Sequence, residues 1–121
     1  EFLFCLFVFF LMIGDHRDLH SFPTRRSSDL IFLQSEIKYC VKYKNPSPHF
    51  AGKFAVKESV IKAISEKISF LDIETFHSNS KPQIRLKGKI NKKYAFRASL
   101  SHEKNFAIAV VISEKTDKYQ K

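Results

Sequence analysis

The chain has 121 residues, a formal charge of +9, 44% hydrophobic residues and only two cysteines, Cys5 and Cys40. That length fits one small domain, and two isolated cysteines exclude a disulfide framework or a thiolate metal centre and suit a reducing compartment. The charge points to a polyanionic partner: nucleic acid, an anionic membrane, a phosphorylated small molecule or an acidic protein.

The opening EFLFCLFVFFLMI is apolar from Phe2 to Ile13, shorter than the ~20 residues of a membrane span. Glu1 stands where a secretory leader has a basic start, so a membrane anchor would rest on this run alone. Its Phe, Leu, Val, Ile and Met residues all have codons with T in the middle, and T-rich DNA read in any frame gives such text. The next stretch, GDHRDLHSFPTRRSSDL (residues 14–30), obeys no period. Back-translated, it resembles a short-read sequencing adapter through every codon. Residues 1–30 are therefore expected to be translated library text and not a domain. His16 and His20 stand at i, i+4, a zinc spacing if helical, but Pro23 and the polar surroundings support no helix. Gly14-Asp15 imitates a metal-binding turn and Arg25-Arg26-Ser27-Ser28 a kinase substrate, and neither is expected to function. From Ile31 onward there are eighteen basic and eight acidic residues, a net of +10, so the basic character belongs to the remaining chain.

SEIKYCVKYK reads as a short helix with Ser35 as N-cap and Ile37, Cys40 and Val41 on its apolar side. Pro46 and Pro48 make a rigid turn, and Ser47 or Pro48 opens the next helix. In SPHFAGKFAVKESVIKAIS, Phe50, Phe54, Ile61 and Ile64 fall within an arc of roughly 80°. Lys57 projects inside that arc and Glu58 just beyond it. Unpaired charge facing a core is costly. Either Lys57 snorkels and Glu58 pairs with Lys62, or the pair has a task.

After Lys67 the period changes. ISFLDIETF is β-prone, QIRLKG alternates, and YAFRASLS sets Tyr94, Phe96, Ala98 and Leu100 on one face. FAIAVVI suits a central strand. SHEKN (residues 101–105) joins the last two strands as an antiparallel hairpin, as a polar turn or as a site with a hydroxyl and an imidazole. The fold class expected is α+β, with two helices followed by a mainly antiparallel sheet of about four strands.

Taken together, FAGKFAVKESVIKAI, ISFLDIE, KPQIRLKGK and ASLSHEKNFAIAVVI resemble, in order, the bacterial holo-acyl-carrier-protein synthase family of phosphopantetheinyl transferases. The likeness covers residues 31–114 and leaves 115–121 as a polar tail. It implies transfer of phosphopantetheine from coenzyme A to a serine of acyl carrier protein, in fatty-acid synthesis, by a cytoplasmic magnesium-dependent homotrimer with active sites between protomers. It implies Glu58 as a magnesium ligand and Lys62 as the cation that meets the pyrophosphate. Lys53 stands where the family usually has Arg and would contact phosphate as a point charge. Ser101 and His102 would contact the nucleotide part of coenzyme A, and Lys57 would serve substrate or structure.

Coenzyme A and acyl carrier protein are both anionic, which accounts for the basic charge without nucleic acid or membrane. The family begins with a strand carrying Gly-x-Asp, whose aspartate is the second magnesium ligand, and a docking helix. Adapter-like text stands in their place, and Asp15 is not given that role. The chain as it stands is thus expected to bind coenzyme A and magnesium poorly, while its parent gene encodes an active enzyme. Ser65-Glu66-Lys67 replaces a Gly-rich turn, and the segment from Gly88 to Tyr94 is short for the family's helix there. A small basic nucleic-acid-binding protein is the alternative, with Tyr94 and Phe96 near the lysines of one sheet.

Overall fold

The computed structural model describes residues 4–12, 29–103 and 106–116. Strand β1 (Phe4–Met12) comes first, then helices α1 (Gln34–Val41) and α2 (Ser47–Ala63). Strands β2 (Ile73–Ser78), β3 (Lys81–Leu86), β4 (Tyr94–His102) and β5 (Phe106–Lys115) follow. After β1 this is the α+β order the sequence predicts, two helices before a run of four antiparallel strands. The strands divide into two sheets, β1-β5-β4 and β2-β3, instead of forming one.

The apolar run set aside as library text holds a place in the fold. β1 pairs antiparallel with β5 from Phe4 opposite Glu114 to Met12 opposite Phe106. An unpaired strand edge is a template for any β-prone segment, and a Phe- and Leu-rich run meets that need whatever its origin. Residues 13–28, with His16, His20, Asp15 and the Arg-Arg-Ser-Ser run, lie outside the described residues.

β2 and β3 turn on Asn79 and Ser80, both with positive φ (52° and 65°), as a two-residue turn matched to strand twist requires. β4 and β5 form the expected hairpin, with His102 opposite Ala107. The alternation in β4 is observed, Tyr94 buried and Phe96, Ala98 and Leu100 half-buried. Between β3 and β4, residues Gly88–Lys93 form a 3-10 segment in place of a longer helix.

Helix α2 runs beneath the three-stranded sheet and differs from the sequence reading in its core face. Ala51, Ala55, Val56, Val60 and Ala63 pack with Ala107, Ala109 and Val111 of β5. Small side chains bring helix and sheet close; at Gly52 an added Cβ would lie 3.1 Å from Leu100 Cδ2. Phe50 belongs to a second cluster with Phe32 and Cys40, while Phe54 and Ile61 are only half-buried. Buried on two sides, α2 has no polar stripe to reveal which side meets the sheet.

Helix α1 begins one residue before Ser35, which is exposed and does not cap it. The Leu33 N–H donates instead to Glu36 Oε1 at 2.8 Å, satisfying one of the helix's orphan donors.

Candidate functional site

Three α2 side chains suited to a phosphate chemistry, Lys53, Lys57 and Glu58, have very different surroundings. The Lys57 side chain is fully buried; its ammonium lies 2.7 Å from Glu36 Oε1, itself buried. It also donates to the carbonyls of Ile31 and Phe70, at 2.7 and 2.9 Å. Lys57 therefore neither snorkels nor reaches solvent; it ties α1, α2 and the 3-10 turn Phe70–Asp72 together. Burial pushes its pKa down, against the carboxylate that holds the charge.

Lys53, only 3% exposed, donates to Thr75 O and Thr75 Oγ1, both at 3.0 Å. Thr75 in turn donates from N and Oγ1 to Glu36 Oε2 at 2.8 and 2.7 Å. One chain of buried groups thus runs Lys53–Thr75–Glu36–Lys57. It contains two amines and a single carboxylate, so Lys53 lacks a directly bonded anion. Burial pushes the Lys53 pKa down, with Lys57 adding to the effect and Glu36 opposing it.

Glu58 is half-exposed and Lys62 exposed, four residues apart on one side of α2. Among the described residues Glu58 takes part in no hydrogen bond or ion pair, with Lys62 or any other group.

Ser101 is exposed and His102 half-buried at the end of β4. Close packing at Gly52 brings β4 against α2, and the His102 ring lies 4.9 Å from that of His49 in an edge-to-face contact. His49 precedes Glu58 by nine helical residues, a rise of about 14 Å. His102 therefore stands toward one end of α2 and Glu58 and Lys62 toward the other, with Lys53 between them, and among the described residues no hydrogen bond, ion pair or ring contact joins His102 or Lys53 to Glu58 or Lys62.

The His49 end holds residues the sequence reading passes over. Tyr43 stacks on His49 at 3.7 Å, and Tyr39 on His77 at 5.1 Å. The Tyr43 hydroxyl donates to Tyr39 Oη at 3.1 Å. The Lys42 and Lys53 ammonium groups lie 4.6 and 4.7 Å from the centre of the Tyr39 ring. Tyr39 lies on α1 and Tyr43 two residues past its end, where the chain bends toward α2. Nothing local in the sequence joins them to His77. A cleft of about 410 Å³ opens here, lined among others by Tyr39, Lys42, Lys53, Thr75 and His77.

Among the described residues no group of three His, Cys, Asp or Glu side chains is placed to hold a metal. Magnesium needs only one or two protein carboxylates when substrate phosphates complete its shell. Glu58 fits such a shared site and does not fit a cage made of protein alone. Cys40 is buried with its thiol pushed up to about 12 by burial, which leaves it inert. Tyr94 is buried and stacked on Phe96 at 5.9 Å, so the pair is no open platform for nucleic-acid bases. No helix among the described residues is long and apolar enough to cross a membrane.

The chain is similar to known proteins in sequence and fold. A family model described as the 4'-phosphopantetheinyl transferase superfamily matches residues 13–111, a span that includes the whole adapter-like stretch. The holo-[acyl-carrier-protein] synthase of Thermodesulfovibrio yellowstonii is 41% identical over 85 residues, 68% of this chain and 73% of that one. The crystal structure of Helicobacter pylori holo-[acyl-carrier-protein] synthase in complex with coenzyme A aligns with a TM-score of 0.70 at 31% identity, covering 89% of this chain and 98% of that one. A Bacillus anthracis synthase structure in complex with CoA (3',5'-ADP) shares the fold, with a TM-score of 0.75 at 24% identity over 93% of this chain and 96% of that one.

Proposed function

This chain belongs to the holo-[acyl-carrier-protein] synthase family of the 4'-phosphopantetheinyl transferase superfamily, and from that premise we propose that it derives from an enzyme moving phosphopantetheine from coenzyme A to a serine of acyl carrier protein. The observation that carries the reading furthest is the pairing on α2 of a half-exposed carboxylate, Glu58, with an exposed cation, Lys62, one turn on.

In the reaction a serine hydroxyl attacks the pantetheine-side phosphorus of the pyrophosphate. A new P–O bond forms as the serine loses its proton, the bridging P–O bond breaks, and adenosine 3',5'-bisphosphate leaves with the electron pair. Bound magnesium would neutralise the pyrophosphate charge and align its oxygens, and Glu58 is the residue that would hold it. Lys62 would sit against the oxygen that gains charge, where a fixed cation is worth most. Lys53, Ser101 and His102 would hold the nucleotide end, aligning the pyrophosphate by fixing a remote part of the substrate. Lys57, committed to Glu36, contributes by fixing α1 against the helix that carries Glu58.

The remaining features follow the same reading. A cytoplasmic enzyme of fatty-acid synthesis meets two anionic substrates, and the positive charge steers both. A homotrimer would complete each site from two protomers and cover open strand edges. The adapter likeness keeps residues 1–30 as translated library text in our reading, with the second metal ligand lost there and activity of this chain reduced. Resequencing the source DNA across the codons for residues 8–36 tests that part.

The decisive experiment measures coenzyme A binding by the full chain and transfer to apo carrier protein, with and without magnesium, beside Glu58→Gln. Magnesium-dependent binding lost in E58Q supports the proposal. Binding that ignores both magnesium and E58Q removes Glu58 from its role, and no binding of coenzyme A at all refutes the reading for this chain.

A further inference from the structure

The His49 end of α2 collects more imidazoles and cations than a nucleotide contact through His102 requires. His77 from β2 stacks on Tyr39 of α1, His49 from α2 stacks on Tyr43 just beyond α1, and His102 from β4 meets the His49 ring. Tyr39 also lies 6.3 Å from His49, edge to face, and so bridges the two stacks. Facing this group are Lys42, which follows α1, and Lys53 from α2, each over the Tyr39 ring. The carboxylates nearby are engaged elsewhere: Glu36 by Lys57 and Thr75, and Glu74, on the cleft wall, by Arg85 at 2.9 Å. Cys40 beside them is buried with its thiol protonated.

Such a cluster repels its own protons. Burial lowers the pKa of His49, and His102, His77 and Lys53 add to the effect. His77 is lowered by burial and by Lys53, His102 and Lys42. An anion placed among these groups reverses the repulsion, because a neighbouring negative charge favours the protonated ring. The buried Lys53–Thr75–Glu36–Lys57 chain points the same way, having one more amine than carboxylate and an open cleft at the Lys53 end.

We infer that His49 and His77 are anion-binding residues, and that capture of a phosphate monoester beside Lys53 and His102 draws protons onto their rings. This rests on the placement of the nucleotide end of coenzyme A at His102, and adds to it two residues and a coupling. The ligand chemistry is a phosphate monoester on an adenosine, held by imidazolium donors, an ammonium and aromatic faces. The stacked tyrosines keep both rings oriented whether charged or neutral. The consequence is donor binding that strengthens as pH falls through the neutral range, as each ring converts from a weak to a charge-assisted partner.

Histidine ring NMR of the full chain, titrated from pH 5 to 8 with and without adenosine 3',5'-bisphosphate, reads the coupling directly. The expected result is that His49 and His77 titrate below ordinary histidine when free and rise by about one unit when saturated, a tenfold coupling between proton and ligand. Calorimetry in two buffers of different ionisation heat should show net proton uptake, reduced in His49→Phe and His77→Phe, which retain a ring for stacking. Binding with no proton uptake, or uptake unchanged in the double variant H49F/H77F, overturns the inference while leaving the transferase reading intact. If adenosine 3',5'-bisphosphate fails to bind, the inference also falls; only if coenzyme A fails as well does the transferase reading fall with it.

Discussion

The Lys57 ammonium and the Glu36 carboxylate meet at 2.7 Å with neither side chain exposed. Among the described residues Glu36 accepts four hydrogen bonds, Leu33 N and Lys57 Nζ on Oε1 and Thr75 N and Oγ1 on Oε2. Glutamine in its place would turn an NH2 group toward two donors whichever way the amide faced. Glu36→Gln is therefore expected to cost about 3–5 kcal/mol, the range for breaking a buried pair by changing one partner. Urea unfolding with circular dichroism measures it. A loss under 1 kcal/mol would mean that Glu36 is not the hub of this network.

Lys53 and Lys57 are one turn apart and both buried, yet their removal should differ. Lys57→Met strands the Glu36 carboxylate, whereas Lys53→Met removes the amine with no directly bonded anion and leaves the Glu36–Lys57 pair whole. Lys53→Met is expected to be the milder by at least about 2 kcal/mol, while weakening coenzyme A binding. Equal losses in the two unfolding midpoints would show that the Thr75 contacts of Lys53 matter as much as the ion pair.

How far the sequence reveals this molecule varies from element to element. β4 is legible because Tyr94, Phe96, Ala98 and Leu100 alternate over a one-sided sheet, and α2 because prolines mark its start. The inward side of α2 is not legible: Phe50 and Phe54 outrank Ala51 and Ala55 in hydrophobicity, but only the alanines allow close contact with β5. Glu58 and Lys62 are proposed from resemblance, since nothing in a half-exposed Glu distinguishes it locally. Glu36 is missed because its partners Lys57 and Thr75 are remote in sequence. The His49, His77 and His102 group is missed for the same reason, its members coming from α2, β2 and β4. The pairing of β1 with β5 is invisible to an argument from codons, because strand pairing depends on side-chain type and an open edge, not on a segment's history.

Lys62 is exposed, so its removal should leave the fold intact. Lys62→Met is expected to keep unfolding stability within about 0.5 kcal/mol. If its ammonium meets charge that develops only in the transition state, kcat should fall on the order of 10²-fold with little change in KM for coenzyme A. Steady-state transfer to apo carrier protein separates the cases. A rise in KM at constant kcat would make Lys62 a ground-state contact instead.

The lowered His49 and His77 pKa values also set a pH dependence of stability. Both rings bind protons more weakly folded than unfolded, so the unfolded chain takes up more protons as pH falls below the ordinary histidine range. Their contribution is fully present above about pH 6.5 and is lost as pH drops through the folded-state values. Melting temperature should decline on going from pH 7 to pH 5, and adenosine 3',5'-bisphosphate should restore part of the loss. His49→Phe and His77→Phe should each flatten the decline; a profile identical in the double variant would place the acid sensitivity elsewhere.

β1 supplies the last prediction. It covers one edge of β5 along nine residues, from Phe4 to Met12, while β4 covers the other. Removing residues 1–12 exposes that edge, with its N–H and C=O groups unpaired in the middle of the apolar FAIAVVI run. Open apolar edges recruit other chains. The truncated chain is expected to self-associate, giving larger species by light scattering at concentrations where the full chain does not. Lysine at Val110 should suppress this association, since charge on an edge strand opposes pairing between chains. A truncated chain that scatters as the full chain does would mean that β1 is dispensable to the sheet.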